Sequence, residues 1–374
     1  MAGIYIHIPF CKQACHYCDF HFSTSLKKKE EMIAALIQEI HLRKEEINEP
    51  VETIYFGGGT PSVLSNEEIN ILIDAVFSLF DVMKHPEITL EANPDDLTKE
   101  RIHELAHSRI NRLSIGVQSF YDEDLQLMNR AHNAKEAWES LEEAAKHFDN
   151  ISIDLIYGIP NMSLERWESN IQKALDLGIP HISSYALTVE PKTALASLIK
   201  KGKIPTLDDG EAHEHFLRMV SILENNGFVH YELSNFGKPD YFSKNNSAYW
   251  LGKKYLGIGP SAHSFDGKNR SWNIANNSLY IQAIQKNELP NETETLSIQD
   301  RYNEYIMTGL RTIWGVSVFS VEHEFGVSYK KYLLANAQEF IHNGQLQLEN
   351  DVLKTTMKGK FFCDGIASEL FWVE

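Results

Sequence analysis

Short runs of β-branched residues alternate with longer amphipathic runs along the first 230 residues, and this alternation limits the possible folds more than any other feature. Strands are predicted at Ile4–Ile8, Thr53–Phe56, Ile88–Glu91, Arg112–Gly116, Ile151–Ile156, Ile182–Leu187 and Phe228–Glu232. Helices are predicted between them at Lys27–Ile47, Asn66–Leu79, Lys135–His147, Leu164–Leu177 and Asp208–Asn225. Six or seven consecutive β–α units predict an α/β fold with a parallel sheet, as a doubly wound layer or a full or partial TIM-type barrel. In each arrangement, ligands bind at the carboxyl ends of the strands.

The pattern changes after about residue 290. The predicted elements there are helices Ser297–Thr312, Val321–Phe325 and Tyr329–Asn343, then a hairpin of Leu346–Leu348 and Val352–Lys354. Three helices and a hairpin resemble a winged-helix module. Because this stretch is not basic, we expect it to pack against the sheet or to act as a lid rather than to bind DNA. We therefore divide the chain into a barrel (1–235), a connecting segment (236–290) and a small α+β domain (291–374).

The charge balance and hydropathy exclude several classes of protein. The 374-residue chain carries 35 Lys and Arg against 52 Asp and Glu, a net charge of −17. Nucleic-acid-binding proteins usually present a basic face to the phosphates, so no nucleic-acid partner is expected. No apolar run approaches the roughly 20 residues that a membrane span requires. The N-terminal segment lacks the regions of a signal peptide, so a cytoplasmic protein is expected.

Three of the four cysteines, Cys11, Cys15 and Cys18, lie within eight residues, directly after the first predicted strand. This is not the spread of pairs that a disulfide framework requires. Three thiolates in one loop can hold three irons of a cubane cluster and leave the fourth iron open to a small ligand. A structural zinc site is an alternative, with His16 or His21 as a fourth ligand. A ferredoxin-type cluster needs four cysteines, and only Cys363 remains for that role.

Glycines and polar residues follow the next predicted strands. Gly57-Gly58-Gly59-Thr60-Pro61 follows the second strand and lets backbone groups approach a ligand closely, without the Gly-Lys-Ser/Thr of a P-loop. Glu91, Gln118 and Asp154 lie in or just after the third, fourth and fifth strands, where a buried polar group needs a partner. Arg130 has the forked geometry that binds a carboxylate. Structural hydrogen bonds, or for Arg130 a surface ion pair, are the alternatives.

The Cys-x3-Cys-x2-Cys spacing after a strand, with Tyr17 between the last two cysteines, resembles the radical SAM superfamily. The resemblance implies a partial TIM-type (β/α)6 barrel and a [4Fe–4S] cluster held by Cys11, Cys15 and Cys18. It also implies that the open iron chelates S-adenosylmethionine, which one electron cleaves to methionine and a 5′-deoxyadenosyl radical.

The resemblance assigns roles to the residues at the strand ends as well. Gly58, Gly59 and Thr60 match the family's GGTP motif, which holds the methionine amino group. By the same resemblance, the remaining cofactor contacts are Tyr5, Tyr17, Glu91, Gln118, Arg130 and Asp154.

A closer resemblance extends over nearly the whole chain, carried by Tyr-Ile-His-Ile-Pro-Phe-Cys, Arg-Leu-Ser-Ile-Gly-Val-Gln-Ser-Phe and Asp-Leu-Ile-Tyr-Gly-Ile-Pro. These segments are similar to the family that holds the oxygen-independent coproporphyrinogen III oxidases and the HemW heme chaperones. Two features favour HemW. Phe20 occupies the position of the oxidases' fourth cysteine, and the first strand begins at about residue 4, without the oxidases' N-terminal extension.

One motif departs from the HemW pattern. A His-Asn-x-x-Tyr-Trp motif linked to heme reads Asn245-Asn246-Ser-Ala-Tyr249-Trp250 here, so the expected histidine is replaced by Asn245. His263 is a substitute ligand candidate, although a lone histidine is more often structural. The stretch 241–265, which also contains Tyr255, is where a porphyrin pocket is expected.

Two classes of function follow from the resemblance. The first is heme binding and delivery, with heme, heme-acceptor proteins and an electron donor for the cluster as partners, and with a homodimer left open. The second is radical decarboxylation of porphyrinogen propionates. A tRNA-modifying radical SAM enzyme is a more distant third, because the charge is acidic and no RNA-binding appendage is recognisable.

Overall fold

The structure, a computed structural model, describes residues 1–373. Its strands are β1 Ala2–Ile8, β2 Val51–Gly58, β3 Val82–Ala92, β4 Arg112–Gln118, β5 Ile151–Tyr157, β6 His181–Ala186, β7 Val229–Glu232, β8 Asn235–Gly237, β9 Tyr255–Ile258, β10 His263–Phe265, β11 Asn269–Asn273, β12 Asn291–Thr295, β13 Val316–Ser317, β14 Leu346–Glu349 and β15 Val352–Thr355.

Its helices are α1 Lys29–Leu42, α2 Asn66–Leu79, α3 Lys99–Ala106, α4 Asp122–Leu127, α5 Ala134–Ala144, α6 Leu164–Asp176, α7 Ala194–Lys200, α8 Asp209–Asn225, α9 Lys244–Trp250, α10 Asn277–Ile284, α11 Ile298–Leu310, α12 Val318–Phe325, α13 Val327–His342, α14 Met357–Lys360 and α15 Cys363–Glu369. Within residues 1–373, no helix combines the length and the apolar character that crossing a membrane demands.

The first six strands lie side by side in chain order, each parallel to the next. Every residue of β4 is buried, as expected for a strand covered on both faces. The sheet is open rather than closed: β9 continues it beyond β1, and β8 and β7 continue it beyond β6. The predicted partial (β/α)6 barrel is therefore confirmed, and the carboxyl ends of β1–β6 form one edge.

The last predicted strand of the series, Phe228–Glu232, forms β7 and is not a seventh parallel strand. β7 pairs antiparallel with β8, and β8 pairs antiparallel with β6. A short apolar run has the same pattern in a hairpin and in a parallel unit, so the sequence alone does not give its direction.

The helices begin and end where local signals place them. Helix α2 begins with a capping box, in which Ser65 and Glu68 satisfy each other's backbone N–H groups, and it buries one apolar face. Helix α1 ends earlier than predicted, at Leu42. The next residue, Arg43, is buried and donates to Glu39 at 3.0 Å and to the Gly257 carbonyl at 2.8 Å, which anchors the end of the helix to the sheet extension.

Residues 236–290 extend the sheet instead of simply connecting two units. Strand β9 is parallel to β1, and β10, β11 and β12 follow in antiparallel order. Helix α9, which carries the Asn-Asn-Ser-Ala-Tyr-Trp motif, lies against the starts of β1 and β2, where Asn245 Oδ1 accepts a hydrogen bond from Thr53 at 3.1 Å. The helix N-terminus is bonded to the Glu87 carboxylate, which accepts from the Asn245 N–H at 3.2 Å. This helix covers the barrel interior at the end opposite the strand tips.

The C-terminal residues have a separate apolar core, built around Tyr302, Ile306, Leu333 and Leu353. Helices α11, α12 and α13 pack with a three-stranded sheet in the order β13-β15-β14, which matches the predicted winged-helix-like arrangement. Helices α14 and α15 were not predicted, because both are short and neither has a strong apolar period.

Candidate functional site

A cavity of about 740 Å³ opens at the carboxyl ends of the parallel strands. Most of the residues that the sequence predicts for a cofactor site line it. These residues are Cys11, Cys15, Tyr17, Cys18, Gly58, Gly59, Thr60, Glu91, Gln118, Arg130 and Asp154. They come from the cysteine loop, from the ends of β2, β3, β4 and β5 and, for Arg130, from the segment after α4. The carboxyl ends of parallel strands are where an α/β sheet places ligand chemistry.

The cysteine loop follows β1 and is closed by backbone hydrogen bonds. The Cys11 N–H donates to the Ser23 carbonyl at 3.1 Å, and the Ser23 N–H donates to the Pro9 carbonyl at 2.9 Å. The His16 N–H donates to the Met128 carbonyl at 3.0 Å, which ties the middle of the loop to the segment after α4. The thiols are all free, so none is used in a disulfide.

Two of the three sulfurs have a polar neighbour, one from the turn after β2 and one from the segment after α4. Thr60 Oγ1 donates to the Cys11 sulfur at 3.4 Å, and Arg130 Nη1 donates to the Cys15 sulfur at 3.2 Å. Burial raises the pKa of Cys11 to about 11 and also raises the pKa of Cys18. Burial therefore favours the neutral form of Cys11 and Cys18, and a bound metal would favour their thiolates.

The histidines considered as zinc ligands have other partners. His16 Nδ1 bonds to the Leu127 carbonyl at 2.8 Å, and His21 Nε2 bonds to Asn277 Oδ1 at 2.7 Å. Cys363 is buried in the C-terminal core. Across residues 1–373, no three His, Cys, Asp or Glu side chains are grouped as ligands of one metal ion.

The glycine turn after β2 brings backbone into the cavity wall. Gly58 has φ +109°, a conformation that favours glycine, and its N–H donates to Glu91 Oε2 at 3.2 Å. A Cβ added to Gly59 would lie 2.6 Å from the Phe10 carbonyl oxygen. The Thr60 N–H donates to the same carbonyl at 2.7 Å. Only glycine permits this close approach between the turn and the cysteine loop.

Arg130 is a half-buried cation in the wall of the cavity. Its Nη2 donates to Asn93 Oδ1 at 2.7 Å and to the Gly116 carbonyl at 2.8 Å. Its Nε is buried and has no hydrogen-bond partner among residues 1–373. A Cβ on Gly116 would lie 3.2 Å from Arg130 Nη2, so this glycine leaves room for the guanidinium. Nearby, Gln118 has φ +67°, a strained conformation of the kind that clusters at ligand sites.

Glu91 and Asp154 are the two carboxyl groups at the strand ends. Tyr55 Oη donates to Glu91 Oε1 at 2.7 Å. Burial, with the charge of the other carboxylate, raises the pKa of Glu91 to about 7, and burial raises the pKa of Asp154 to about 6. Both also line a second, polar cavity of about 60 Å³ within the barrel, together with Tyr55, Arg112, Ser114, Ser152, Ser183, Tyr185, Ser243 and Asn246.

Tyr5 is the one predicted cofactor contact that does not line the cavity. Its hydroxyl lies 3.2 Å from His7 Nδ1, and its ring stacks on Tyr55 with the centroids 6.1 Å apart. It lies beneath the glycine turn, because a Cβ on Gly57 would be 2.8 Å from the Tyr5 ring.

Several cavity residues were not anticipated from the sequence. Asn93 follows β3 and Tyr185 lies near the end of β6, and neither belongs to a motif used in the sequence analysis. Arg311, Phe361 and Asp364 come from the C-terminal part of the chain. The Leu-Glu-Ala-Asn-Pro segment was a usable signal for Asn93, because its polar residue directly follows a buried strand. No sequence signal linked Arg311 to the cavity, since tertiary packing alone places it there.

The site fits a [4Fe–4S] cluster with a small charged ligand. One cavity is bordered by three free thiols, by an arginine whose buried Nε has no partner in the described part of the chain, and by a glycine turn with no space for a side chain. Cys11, Cys15 and Cys18 would hold the cluster, and Arg130 would face the ligand beside it. Three thiols among the residues that line this cavity are the donor set expected for a cluster with one open iron.

A second cleft of about 730 Å³ lies between the sheet extension and the C-terminal helices. It is lined by Tyr249, Trp250 and Tyr255 from the stretch that the sequence predicted for porphyrin. The two positions considered for a heme-ligating histidine, 245 and 263, do not line this cleft. Asn245 is 3% exposed at the bottom of the barrel, and His263 is exposed beside Trp272.

Comparisons with known proteins agree with this geometry. A family model described as the radical SAM superfamily matches residues 5–174, and one described as the HemN C-terminal domain matches residues 296–362. The chain is 34% identical over 365 residues to the heme chaperone HemW of Bacillus subtilis, covering 96% of each chain. It is 36% identical over 357 residues to the heme chaperone HemW of Lactococcus lactis, covering 95% of this chain and 93% of the relative.

Among solved structures, the chain is similar to the coproporphyrinogen III oxidase HemN from Escherichia coli. The TM-score is 0.85 at 22% identity, and the match covers 99% of this chain and 90% of that one. This likeness establishes a shared fold, including the C-terminal part, and leaves the activity to be decided by the sites.

Proposed function

The chain belongs to the HemW family of radical SAM proteins, and on that basis we propose that it binds a [4Fe–4S] cluster and S-adenosylmethionine, binds heme, and delivers the heme to acceptor proteins. The observation that carries the first part is the grouping of three free thiols, Arg130 and the strand-end polar residues around one cavity. The relatives' description as heme chaperones supports the second part.

In the proposed arrangement, Cys11, Cys15 and Cys18 hold the cluster. Backbone groups of Gly58, Gly59 and Thr60 hold the methionine amino group, and Arg130 lies beside the methionine carboxylate. Glu91, Gln118 and Asp154 contact the ribose or adenine side, with Tyr17 next to the cluster and Tyr5 acting indirectly through Tyr55. When bound, the cluster supplies one electron to the sulfonium of S-adenosylmethionine. The protein's own groups bind and orient the ligand and keep water out.

Two features support the heme role. One is the 730 Å³ cleft lined by Tyr249, Trp250 and Tyr255, called the aromatic cleft from here on. The other is the position of Phe20. Phe20 is 68% exposed at the place where the oxidases have a fourth cysteine. An electron donor, a heme-accepting protein, a homodimer and a cytoplasmic location belong to the same proposal.

Coproporphyrinogen oxidation is the second candidate, and one observation favours it. Arg311 lines the cavity with the clustered cysteines, where a guanidinium can bind a propionate. That residue is already paired with Asp364 and lies over the Trp250 ring, with 5.3 Å from Cζ to the ring centroid. Decarboxylating two propionates also requires many positioning contacts, so one arginine is weak support.

Anaerobic reconstitution followed by separate assays tests the proposal. We expect iron and sulfide in the ratio of a [4Fe–4S] cluster, binding of S-adenosylmethionine, and binding of heme in a titration followed by visible absorption. We also expect no sustained formation of protoporphyrinogen when coproporphyrinogen III, reductant and S-adenosylmethionine are supplied. Formation over many turnovers would overturn the chaperone proposal in favour of the oxidase. Failure to bind heme, with cluster and cofactor intact, would overturn the heme part.

A further inference from the structure

Asn93 directly follows β3 and uses both ends of its side-chain amide at the 740 Å³ cavity. Its Oδ1 accepts a hydrogen bond from Arg130 Nη2 at 2.7 Å, and its Nδ2 donates to Thr60 Oγ1 at 3.3 Å. Each of these partners also contacts a clustered cysteine. Thr60 Oγ1 lies 3.4 Å from the Cys11 sulfur, and Arg130 Nη1 lies 3.2 Å from the Cys15 sulfur. One amide thus connects the hydrogen-bond donors of two of the three sulfurs.

The direction of these hydrogen bonds follows from the chemistry of Arg130. A guanidinium has only N–H donors, so the atom of the Asn93 amide that faces it must be the oxygen. The amide nitrogen then faces Thr60, and because an NH2 group only donates, the Thr60 oxygen accepts its hydrogen bond. The single hydrogen of the Thr60 hydroxyl is therefore left to point at the Cys11 sulfur. Arg130 sets the orientation of Asn93, and Asn93 sets the orientation of Thr60.

The backbone of Asn93 is fixed as well. Its N–H donates to Ser62 Oγ at 3.3 Å, and the Ser62 hydroxyl donates to Asp96 Oδ2 at 2.6 Å. Asp96 is buried and pairs with Lys12, the residue directly after Cys11 in the cysteine loop. Asn93 is therefore held relative to the same loop whose sulfurs its partners contact.

The side chain of Asn93 is not used by the local turn. Asn93 is the N-cap of the short 3-10 helix Pro94–Asp96, a position where an asparagine side chain commonly accepts a hydrogen bond from the backbone of the turn. Within the described part of the chain, the Asn93 side chain makes no such capping bond. Both of its amide atoms contact Arg130 and Thr60 instead. A structural role in the turn therefore does not account for this side chain.

Hydrogen bonds to the sulfurs and nearby charge are among the factors that set the reduction potential of an iron–sulfur cluster. Reduction adds negative charge, which donors directed at the sulfurs stabilise. We infer that Asn93 is a positioning residue that directs the Thr60 hydroxyl and Arg130 Nη1 at the sulfurs of Cys11 and Cys15 and thereby raises the reduction potential of the cluster. The inference rests on the proposed function, because it requires the cluster, and it adds a residue that sets the cluster's potential.

A redox titration of the reconstituted full-length protein, followed by electron paramagnetic resonance, tests the inference. Asn93→Asp keeps the shape of the side chain and the contact with Arg130, but its oxygens only accept, so the Thr60 hydroxyl should turn away from the Cys11 sulfur. Thr60→Val removes the same hydroxyl. Each variant should lower the ratio of reduced to oxidised cluster at a fixed potential by roughly tenfold, about 59 mV for one electron, because a hydrogen bond to a charged group is lost.

The double variant separates positioning from charge. If Asn93 acts through the Thr60 hydroxyl, Asn93→Asp should have a smaller effect in the Thr60→Val background, where that hydroxyl is already absent. Equal effects in both backgrounds would overturn the inference, since the added charge alone would explain them. Asn93→Leu removes both hydrogen bonds without adding charge, and a wild-type potential in that variant would also overturn it. The control is Asn225→Asp, which adds the same charge at an exposed position at the end of α8 and should leave the potential unchanged.

Loss of folding and failure of the proposed function give different results. Iron and sulfide content and thermal unfolding are measured for each variant, and only proteins with a full cluster are compared. If the Asn93 variants lose the cluster, Thr60→Val alone still decides, because an unchanged potential in that variant would contradict the inference. If the wild-type protein assembles no cluster, the proposed function itself is wrong. If every variant holds a cluster with the wild-type potential, only the role of Asn93 is wrong.

Discussion

Arg130 donates a hydrogen bond from Nη1 to the Cys15 sulfur at 3.2 Å, so a guanidinium that lines the candidate cofactor cavity also contacts a clustered thiol. Its Nη2 is fixed by Asn93 and by the Gly116 carbonyl, which holds the guanidinium plane toward the space between the cysteine loop and the strand ends. A single side chain thus connects the proposed cluster site with the proposed ligand site.

Arg130→Ala should weaken binding of S-adenosylmethionine by at least about tenfold, because a charge-assisted contact to the carboxylate is lost. Iron content should stay at the wild-type level, since Cys11, Cys15 and Cys18 remain. Arg130→Lys should recover only part of the affinity, because lysine lacks the fork that binds a carboxylate in two places. Anaerobic equilibrium dialysis with the reconstituted protein measures this.

The matched control is Arg109→Ala. Arg109 is an exposed arginine that pairs with Asp74, so its removal should leave S-adenosylmethionine affinity unchanged. Wild-type affinity in Arg130→Ala would show that the carboxylate is held elsewhere.

Cys15→Ala should abolish the cluster, because two remaining thiols cannot hold three irons. Cys363→Ala should reconstitute fully, since Cys363 is buried in the separate C-terminal core. Iron and acid-labile sulfide analysis after anaerobic reconstitution decides the matter. Loss of the cluster in both variants, with both proteins folded, would mean that Cys363 acts as a ligand.

That the predicted residues would line one cavity could be inferred from the sequence because the parts of this candidate site are local. The cysteine loop and the glycine turn each follow a strand within a few residues, and a parallel sheet brings all strand ends to one edge. The positions of Arg311 at the cavity and of Tyr305 and Trp314 at the aromatic cleft were not predictable, because packing between segments distant in sequence determines them. The sequence did not indicate the direction of β7, because antiparallel and parallel strands can have the same local residue pattern. It did not indicate the burial of Asn245 either, because the contact with Thr53 joins residues far apart in the chain.

Gly59→Ala should perturb the site directly. Its new Cβ would meet the Phe10 carbonyl at 2.6 Å, so the glycine turn or the cysteine loop must move. We expect a loss of on the order of 1–3 kcal/mol in the free energy of unfolding, together with weaker S-adenosylmethionine binding. Urea unfolding and ligand titration measure the two effects.

Gly365→Ala is the control for that variant. Gly365 lies in α15, and nothing lies within 4 Å of an added Cβ. Alanine there should leave stability unchanged or raise it by about 1 kcal/mol, because it is the better helix former. Equal effects of the two substitutions would contradict the tight approach at Gly59.

The buried carboxyl groups should make stability depend on pH. Burial raises the pKa of Glu91 to about 7 and that of Asp154 to about 6. In an unfolded chain these groups titrate at about 4.3 and about 3.9, so the folded protein binds their protons more tightly. Their contribution to the free energy of unfolding is therefore full below about pH 4 and is lost as the pH rises through the two folded-state pKa values.

Urea unfolding of the cluster-free protein at pH values between these limits measures that slope. The variants Glu91→Gln and Asp154→Asn should each flatten the slope, because neither amide titrates. Glu67→Gln, at an exposed position of α2, should not change it. Identical slopes in all four proteins would show that the two buried carboxyl groups titrate alike in the folded and unfolded states.

The most direct test of the account is the electron paramagnetic resonance spectrum of the reduced, reconstituted protein with and without S-adenosylmethionine. Three cysteine ligands leave one iron open, so binding of the ligand to that iron should shift the cluster signal, and Arg130→Ala should require more ligand for the same shift. A cluster signal that does not change at saturating S-adenosylmethionine would contradict the proposal that this cavity joins an open iron to the cofactor.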